Sequence, residues 1–216
     1  MRYKINGLTI RSENAAKPVE TGSKWLLDIL KTLPRNFVAL DYGCGKLRYS
    51  IPLAKRVRKV IGVDSKIQIH RTQTILKEST TVLDLAKSVR GLKVCDLNSK
   101  SWRNRKYDFI LCANVLTAIP TSRDRLKVLR VLRKLLRPPG RLLLVAQYRN
   151  GYFGAYKKNP KARWVRDGWL IKNENGNSFY AMLRPPVLAE MCRDVNLRIE
   201  SQFTKGDAAY VFAMAK

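Results

Sequence analysis

Val38-Ala39-Leu40-Asp41-Tyr42-Gly43-Cys44-Gly45 is the stretch that decides the fold. A short apolar run enters a loop in which glycine recurs at alternate positions. Glycines so spaced let the chain turn sharply and let a ligand touch the backbone. The loop leads into a helical pattern, which would turn its backbone N–H groups toward that ligand. Further on, Val60-Ile61-Gly62-Val63 ends in Asp64. An acid at the end of a second strand is placed to accept hydrogen bonds from ribose hydroxyls. Loop and acid together, in a strand–loop–helix–strand setting, are a stronger signal than a glycine pair alone.

The same alternation continues along the chain. Apolar runs fall at Phe37–Leu40, Lys59–Val63, Leu92–Cys95, Tyr107–Ala113 and Leu142–Ala146. They are continuous rather than alternating, as strands buried on both faces of a parallel sheet must be. Helical patterns lie between them at Lys24–Leu33, Ile67–Lys77, Val82–Val89 and Ser122–Arg137. In the last, Leu126, Leu129, Leu132, Leu135 and Leu136 form one apolar stripe, and Pro138-Pro139-Gly140 ends it. Strand alternating with helix predicts a doubly wound α/β sheet with right-handed crossovers. Ligands bind such a sheet outside the carboxyl ends of its strands. Pro185–Asn196 reads as a helix. Leu197–Thr204 and Ala208–Met214 read as an antiparallel hairpin turning at Lys205-Gly206-Asp207. The 216 residues predict a single domain, with residues 149–180 as an irregular, substrate-side insertion after the fifth strand.

Charge is the compositional outlier: 43 Lys and Arg stand against 16 Asp and Glu, a net +27. A domain this basic points to a polyanionic partner, nucleic acid above all. The four cysteines (Cys44, Cys95, Cys112, Cys192) form no C-x-x-C pair and His70 is the one histidine, so no metal site is expected. Buried, reduced thiols fit a cytoplasmic protein. The opening MRYKINGLTI carries no apolar core of a signal peptide, and no stretch reaches the ~20 apolar residues of a membrane span.

A nicotinamide site would need G-x-G-x-x-G, and Arg48 stands where its third glycine belongs. The motif set instead resembles the class I S-adenosylmethionine-dependent methyltransferase family. Residues 38–45 look like its first motif and Ile61-Gly62-Val63-Asp64 like its second. Val94-Cys95-Asp96-Leu97 resembles the third, and Tyr107–Leu116 with Ile119-Pro120 the fourth. Leu136–Leu143 resembles the helix end, turn and fifth strand that follow. The resemblance implies a Rossmann-like, mostly parallel seven-stranded sheet with a C-terminal antiparallel hairpin. It implies S-adenosylmethionine as cofactor: Asp41 and the backbone at Gly43 and Gly45 at its amino-acid end, Asp64 on the ribose, Asp96 on the adenine amine with Leu97 against the ring, and Asn114 at the methionine end. The family often has a third glycine where this chain has Leu47.

Methyl transfer is an in-line displacement, and positioning alone supplies most of its catalysis, ~7–11 kcal/mol. A base is needed only where the acceptor must lose a proton. The loop Asn114-Val115-Leu116-Thr117 lacks the N/D-P-P-Y/F pattern of amino-methylating nucleic-acid enzymes, and no cysteine adjoins a proline there as in base-C5 enzymes. His70 reads as a surface residue of a helix. Gln147, Tyr148 and Arg149 leave the fifth strand at its carboxyl end and are the candidates for substrate contact, together with Tyr152 and Trp164 in the insertion. There aromatics alternate with cations, a pattern that suits bases and phosphates, or equally a lid whose aromatics pack on one another. Three readings follow: an RNA-directed methyltransferase, a small-molecule methyltransferase, and a non-catalytic binding protein of the same fold.

Overall fold

The structure, a computed structural model, describes residues 2–15, 21–149, 151–174 and 176–215, without the side chains of Arg2, Ala15, Tyr152 and Asn173. From the N-terminus, β1 (Arg2–Ile5) and β2 (Leu8–Arg11) form a hairpin. Its turn, Asn6-Gly7, has φ of 48° and 76°. Asn-Gly is the dipeptide that accepts two left-handed residues at least cost. Next come α1 (Lys24–Thr32), β3 (Val38–Tyr42), α2 (Ser50–Arg56), β4 (Lys59–Asp64) and α3 (Lys66–His70). Then follow β5 (Gln73–Ile75), β6 (Glu78–Thr80), α4 (Val82–Lys87), β7 (Leu92–Asp96), β8 (Tyr107–Ala113), α5 (Ser122–Leu135) and β9 (Leu136–Gln147). The C-terminal third holds α6 (Gly151–Tyr156), β10 (Ala162–Val165), β11 (Gly168–Asn173), β12 (Gly176–Ala181), α7 (Pro185–Arg193), β13 (Leu197–Lys205) and β14 (Ala208–Ala215).

The large sheet has seven strands in the order β13-β14-β9-β8-β3-β4-β7. Pairings β8–β3, β3–β4 and β4–β7 are parallel, whereas β14 runs antiparallel to both β9 and β13. This is the Rossmann-like α/β sheet with its C-terminal hairpin. The continuous apolar runs account for it: all five residues of β3 are buried, as are Phe109 to Cys112 of β8. A strand covered on both faces has no solvated side to alternate toward.

By internal packing the chain divides into two compact units. One comprises Ala16–Leu111 with Leu135–Gly140; the other comprises Met1–Ala15, Cys112–Lys134 and Arg141–Lys216. The first carries the glycine loop. The second carries a five-stranded sheet, β1-β2-β12-β11-β10, in which the N-terminal hairpin joins the strands of the 149–181 segment through a β2–β12 pairing at Ile10 and Asn177. That segment is therefore regular structure, three antiparallel strands preceded by a short helix. Arg125 ties it down within its unit. This side chain, 1% exposed, makes a two-pronged ion pair with Asp167 in the β10–β11 turn and donates Nε to the Ile119 carbonyl at 2.7 Å.

The helix expected over Ile67–Lys77 is corrected. It stops at His70, and Gln73–Ile75 pairs with Glu78–Thr80 around Leu76-Lys77, whose φ are 53° and 68°. The reason lies in the residues: Thr72, Thr74, Ile75, Thr80 and Thr81 are β-branched and prefer extended backbone. α5 likewise ends at Leu135, and Leu136 already belongs to β9.

Candidate functional site

Asp41 is the one charged residue of β3 and sits in the wall of the core, 3% exposed. Ser50 at the start of α2 donates to its Oδ2 at 2.6 Å. Burial pushes the Asp41 carboxyl up to about 6; the Ser50 hydrogen bond opposes this, and the nearby charge of Asp64 adds to it. An acid in the middle of an apolar run has no structural advantage over a hydrophobe, because desolvating a carboxylate costs free energy. Its retention points to a ligand that repays the cost with positive charge.

The loop after β3 is fixed from two sides. Gly43 and Cys44 donate their N–H groups to the Val63 carbonyl at 2.8 and 3.1 Å. Gly45 donates to Asp64 Oδ2 at 2.8 Å, and Ser65 donates to Asp64 Oδ1 at 2.7 Å. Gly43 and Gly45 hold φ of 77° and 55°, the left-handed region where a side chain is penalised. These N–H groups are thus spent within the chain, so the glycines contribute the shape of the loop and its tie to Asp64. Asp64 itself is half-buried. Desolvation raises its pKa, while the Gly45 and Ser65 N–H groups pull it back. Each carboxylate oxygen accepts one of these bonds and keeps a second lone pair for a ligand hydroxyl.

Asp64 and Asp96 are direct partners across the parallel β4–β7 pairing. Two carboxylates thus stand side by side at the carboxyl ends of neighbouring strands, about 4.8 Å apart along the backbone. Asp96 caps its own turn through the Asn98 N–H at 2.9 Å. Leu97, buried, donates its N–H to the Asp64 carbonyl at 2.8 Å and receives the Trp102 indole N–H on its own carbonyl at 3.2 Å. Asp41, Asp64, Asp96 and the glycine loop therefore form one constellation within one unit. These carboxylates are hydrogen-bond acceptors, which fits a ligand with a diol, an exocyclic amine and a cationic centre.

Leu47 occupies the third-glycine position with φ 65°. The left-handed backbone is retained, and the side chain is fully buried in a cluster with Cys44, Ile69, Ile75, Val82, Ala86 and Val94. Sequence reading missed two supports of this loop. Gln68, buried on α3, donates Nε2 to the Gly45 carbonyl at 3.1 Å while its Oε1 has no partner among the described residues. Ser50 is the other. Gln68 comes four residues after Asp64, about one helical turn past the end of β4, a spacing that could have disclosed it; Ser50 acts on Asp41 from nine residues away and has no such signal.

The remaining candidates lie in the second unit. Asn114 has φ 60°, donates its N–H to Val145 at 2.8 Å and accepts the Gln147 N–H on Oδ1 at 2.8 Å. This locks the strand end of β8 to that of β9. Tyr148 is buried, its hydroxyl against Thr204 at 2.9 Å, and Arg149 lies over its ring at 5.4 Å, exposed. Tyr152 falls in α6 with its side chain outside the described residues. Trp164, 52% exposed on β10, packs edge-on against Trp169 at 5.3 Å. His70 is exposed at the end of α3. All four cysteines are buried and none forms a disulfide among the described residues, and among the described residues no helix is long and apolar enough to cross a membrane.

A strand–loop–helix with an acid in the first strand, and acids ending the second and third, defines the methyltransferases of Rossmann-like fold. Residues 14–202 match the family model described as a methyltransferase domain, and the chain belongs to that family. It is 34% identical to the YmfD protein of Escherichia coli K12 over 212 residues, 98% of this chain and 95% of that protein. In fold it is similar to an S-adenosylmethionine-dependent methyltransferase of Methanosarcina mazei (TM-score 0.62, 19% identity, 87% of this chain and 96% of that one). It is also similar to the 1,6-didemethyltoxoflavin-N1-methyltransferase of Burkholderia thailandensis, solved with its substrate and S-adenosylhomocysteine (TM-score 0.60, 19% identity, 89% and 77%). The protein is a methyltransferase, and S-adenosylmethionine is its cofactor.

Proposed function

We propose that this methyltransferase acts on a nucleic acid, RNA in particular. Asp64 would hold the ribose diol, Asp96 the adenine amine, and Asp41 the amino-acid end of S-adenosylmethionine. When bound, the cofactor supplies a methyl group on a positively charged sulfur. Asp41, Asp64 and Asp96 give an otherwise cationic protein a local negative field that suits it, and that field holds the product less well once the sulfonium charge is gone. Orientation of an acceptor atom in line with the methyl group is then the main demand on the protein.

The observation that carries the acceptor assignment is Trp164. It is exposed on a hairpin that also exposes Lys161, Arg163 and Arg166. An aromatic surface among cations stacks an unpaired base and holds its phosphates, and RNA loops offer such bases. A small-molecule acceptor is the second reading. It is favoured by the self-packing of Phe153, Tyr156, Trp169 and Tyr180, with centroid distances of 5.9–6.5 Å, and by the small heterocycle that the Burkholderia thailandensis neighbour methylates. Transfer of labelled methyl from the cofactor into RNA, DNA, protein and small-molecule extracts tests the proposal. Label in RNA, reduced in Trp164→Ala, supports it; label confined to small molecules replaces it with the second reading.

A further inference from the structure

The parallel strands β8, β3, β4 and β7 are neighbours in that order, so their starting ends share one edge of the sheet, opposite the acids. Each is approached through an arginine: Arg35 before β3, Arg58 before β4, Arg90 before β7 and Arg105 before β8. The backbone joins these approaches directly. Lys59 donates its N–H to the Phe37 carbonyl at 3.4 Å, and Val60 donates to Gly91 at 2.8 Å. Four strand starts at the usual spacing place the arginines along about 14 Å.

All four arginines are exposed, and none has an ion pair among the described residues. The approach segments 34–37, 57–59, 89–93 and 105–108 hold seven Lys and Arg and a single acid, Asp108. That acid is already spent: its Oδ2 accepts the Val38 N–H at 2.8 Å and its Oδ1 pairs with Arg137 at 2.7 Å. The edge therefore carries concentrated positive charge, and its four arginines have no carboxylate partner among the described residues. Its components repel one another, and nothing in the fold requires arginine at four turn positions. None of the exposed large hydrophobic residues, Leu8, Ile67, Leu76, Trp164 and Val187, lies in these segments. A surface built for an anionic membrane would add apolar or aromatic anchors to its cations.

We infer that this edge is a docking ledge for a nucleic-acid backbone, separate from the cofactor site at the opposite ends of the same strands. Guanidinium groups suit it, because they grip phosphate oxygens in a two-pronged fashion. Such contacts position a polyanion without reading its sequence. The inference does not depend on which acceptor is methylated.

The test is fluorescence anisotropy of a labelled single-stranded RNA 20-mer against the full chain over a salt series. The variant carries Arg35→Gln, Arg58→Gln, Arg90→Gln and Arg105→Gln together. Loss of four phosphate contacts lowers the steepness of the log–log salt dependence by about 2.8, at about 0.7 per phosphate on single strands. A matched variant with Arg123, Lys127, Arg130 and Lys134 of α5 changed to Gln removes the same charge elsewhere and lowers it by less than half as much. The quadruple Arg→Lys variant keeps most of the slope, and calorimetry with S-adenosylhomocysteine on every variant reports an intact fold and cofactor site. An unchanged slope in the Gln variant, or equal losses in both charge-matched variants, overturns the ledge. So does flotation with phosphatidylserine vesicles that the Gln variant abolishes while its RNA slope stays the same, which would assign the edge to a membrane.

Discussion

Asp41→Asn separates the cost of the cofactor site from its use. Burial moves the Asp41 carboxyl from its ordinary 3.8 up to about 6 in the folded chain. The folded state then holds a proton more tightly than the unfolded state, so stability falls as pH rises between these values. One pKa unit corresponds to 1.36 kcal/mol, and the shift places a penalty of about 3 kcal/mol on the ionised folded protein above pH 6. Asparagine keeps the oxygen that accepts from Ser50 and carries no charge. Its amide N–H groups need acceptors of their own, which offsets about 1–2 kcal/mol. The variant should therefore be more stable than the wild type by about 1–2 kcal/mol at pH 7, and the difference should shrink and then reverse as pH falls toward 4, where the folded carboxyl is neutral, most of the charge penalty is gone and the cost of the unpaired amide remains. Urea unfolding of both proteins at half-unit steps from pH 4 to 8 measures it, and calorimetry should show weaker S-adenosylmethionine binding by the variant at pH 7. A variant whose stability tracks the wild type at a constant offset across this range would refute the reasoning that Asp41 is a strained acid.

Leu47→Gly should destabilise the fold by about 2–3 kcal/mol in urea titrations, because the lost burial of a leucine, about 2–5 kcal/mol, outweighs the 1–2 kcal/mol of left-handed strain relieved. Asp167→Ala should cost about 2 kcal/mol by thermal or urea unfolding; this is below the 3–5 kcal/mol of a fully buried pair because Asp167 keeps 42% of its side-chain exposure. Gly7→Ala, at φ 76°, should cost about 1 kcal/mol by the same measurement, through strain alone, since open space surrounds the added methyl.

The sheet was legible in the sequence where burial on both faces left no polar residue in a run. β8 falls at Tyr107–Ala113 as expected, and β3, β4 and β7 begin or end within two residues of the expected bounds. The candidate acids stand out in the sequence as charged residues within or closing those runs, Asp41 inside β3 and Asp64 and Asp96 at the ends of β4 and β7. Two things stayed hidden. The short helix α3 and the β5–β6 hairpin share one stretch of mixed apolar spacing, and the positive φ of Leu76 and Lys77 has no glycine to announce it. The five-stranded sheet pairs residues 10 and 177. Such long-range pairing leaves no periodic trace in either segment, although Asn6-Gly7 between two alternating runs was a local hairpin signal. Leu47 illustrates a trade that residue types alone do not show: core packing kept a leucine at a position whose backbone favours glycine.

The central claim is that S-adenosylmethionine binds at the carboxyl ends of β3, β4 and β7, with Asp64 on its ribose. The most direct measurement is a calorimetric titration of S-adenosylmethionine into the wild type and into Asp64→Ala at pH 7, with circular dichroism confirming that both are folded. Losing hydrogen bonds to a charged acceptor costs about 1–3 kcal/mol. The account therefore predicts saturable binding by the wild type and binding roughly 5- to 150-fold weaker by the variant. A wild type that takes up no cofactor, or a folded variant that binds as tightly as the wild type, would contradict it.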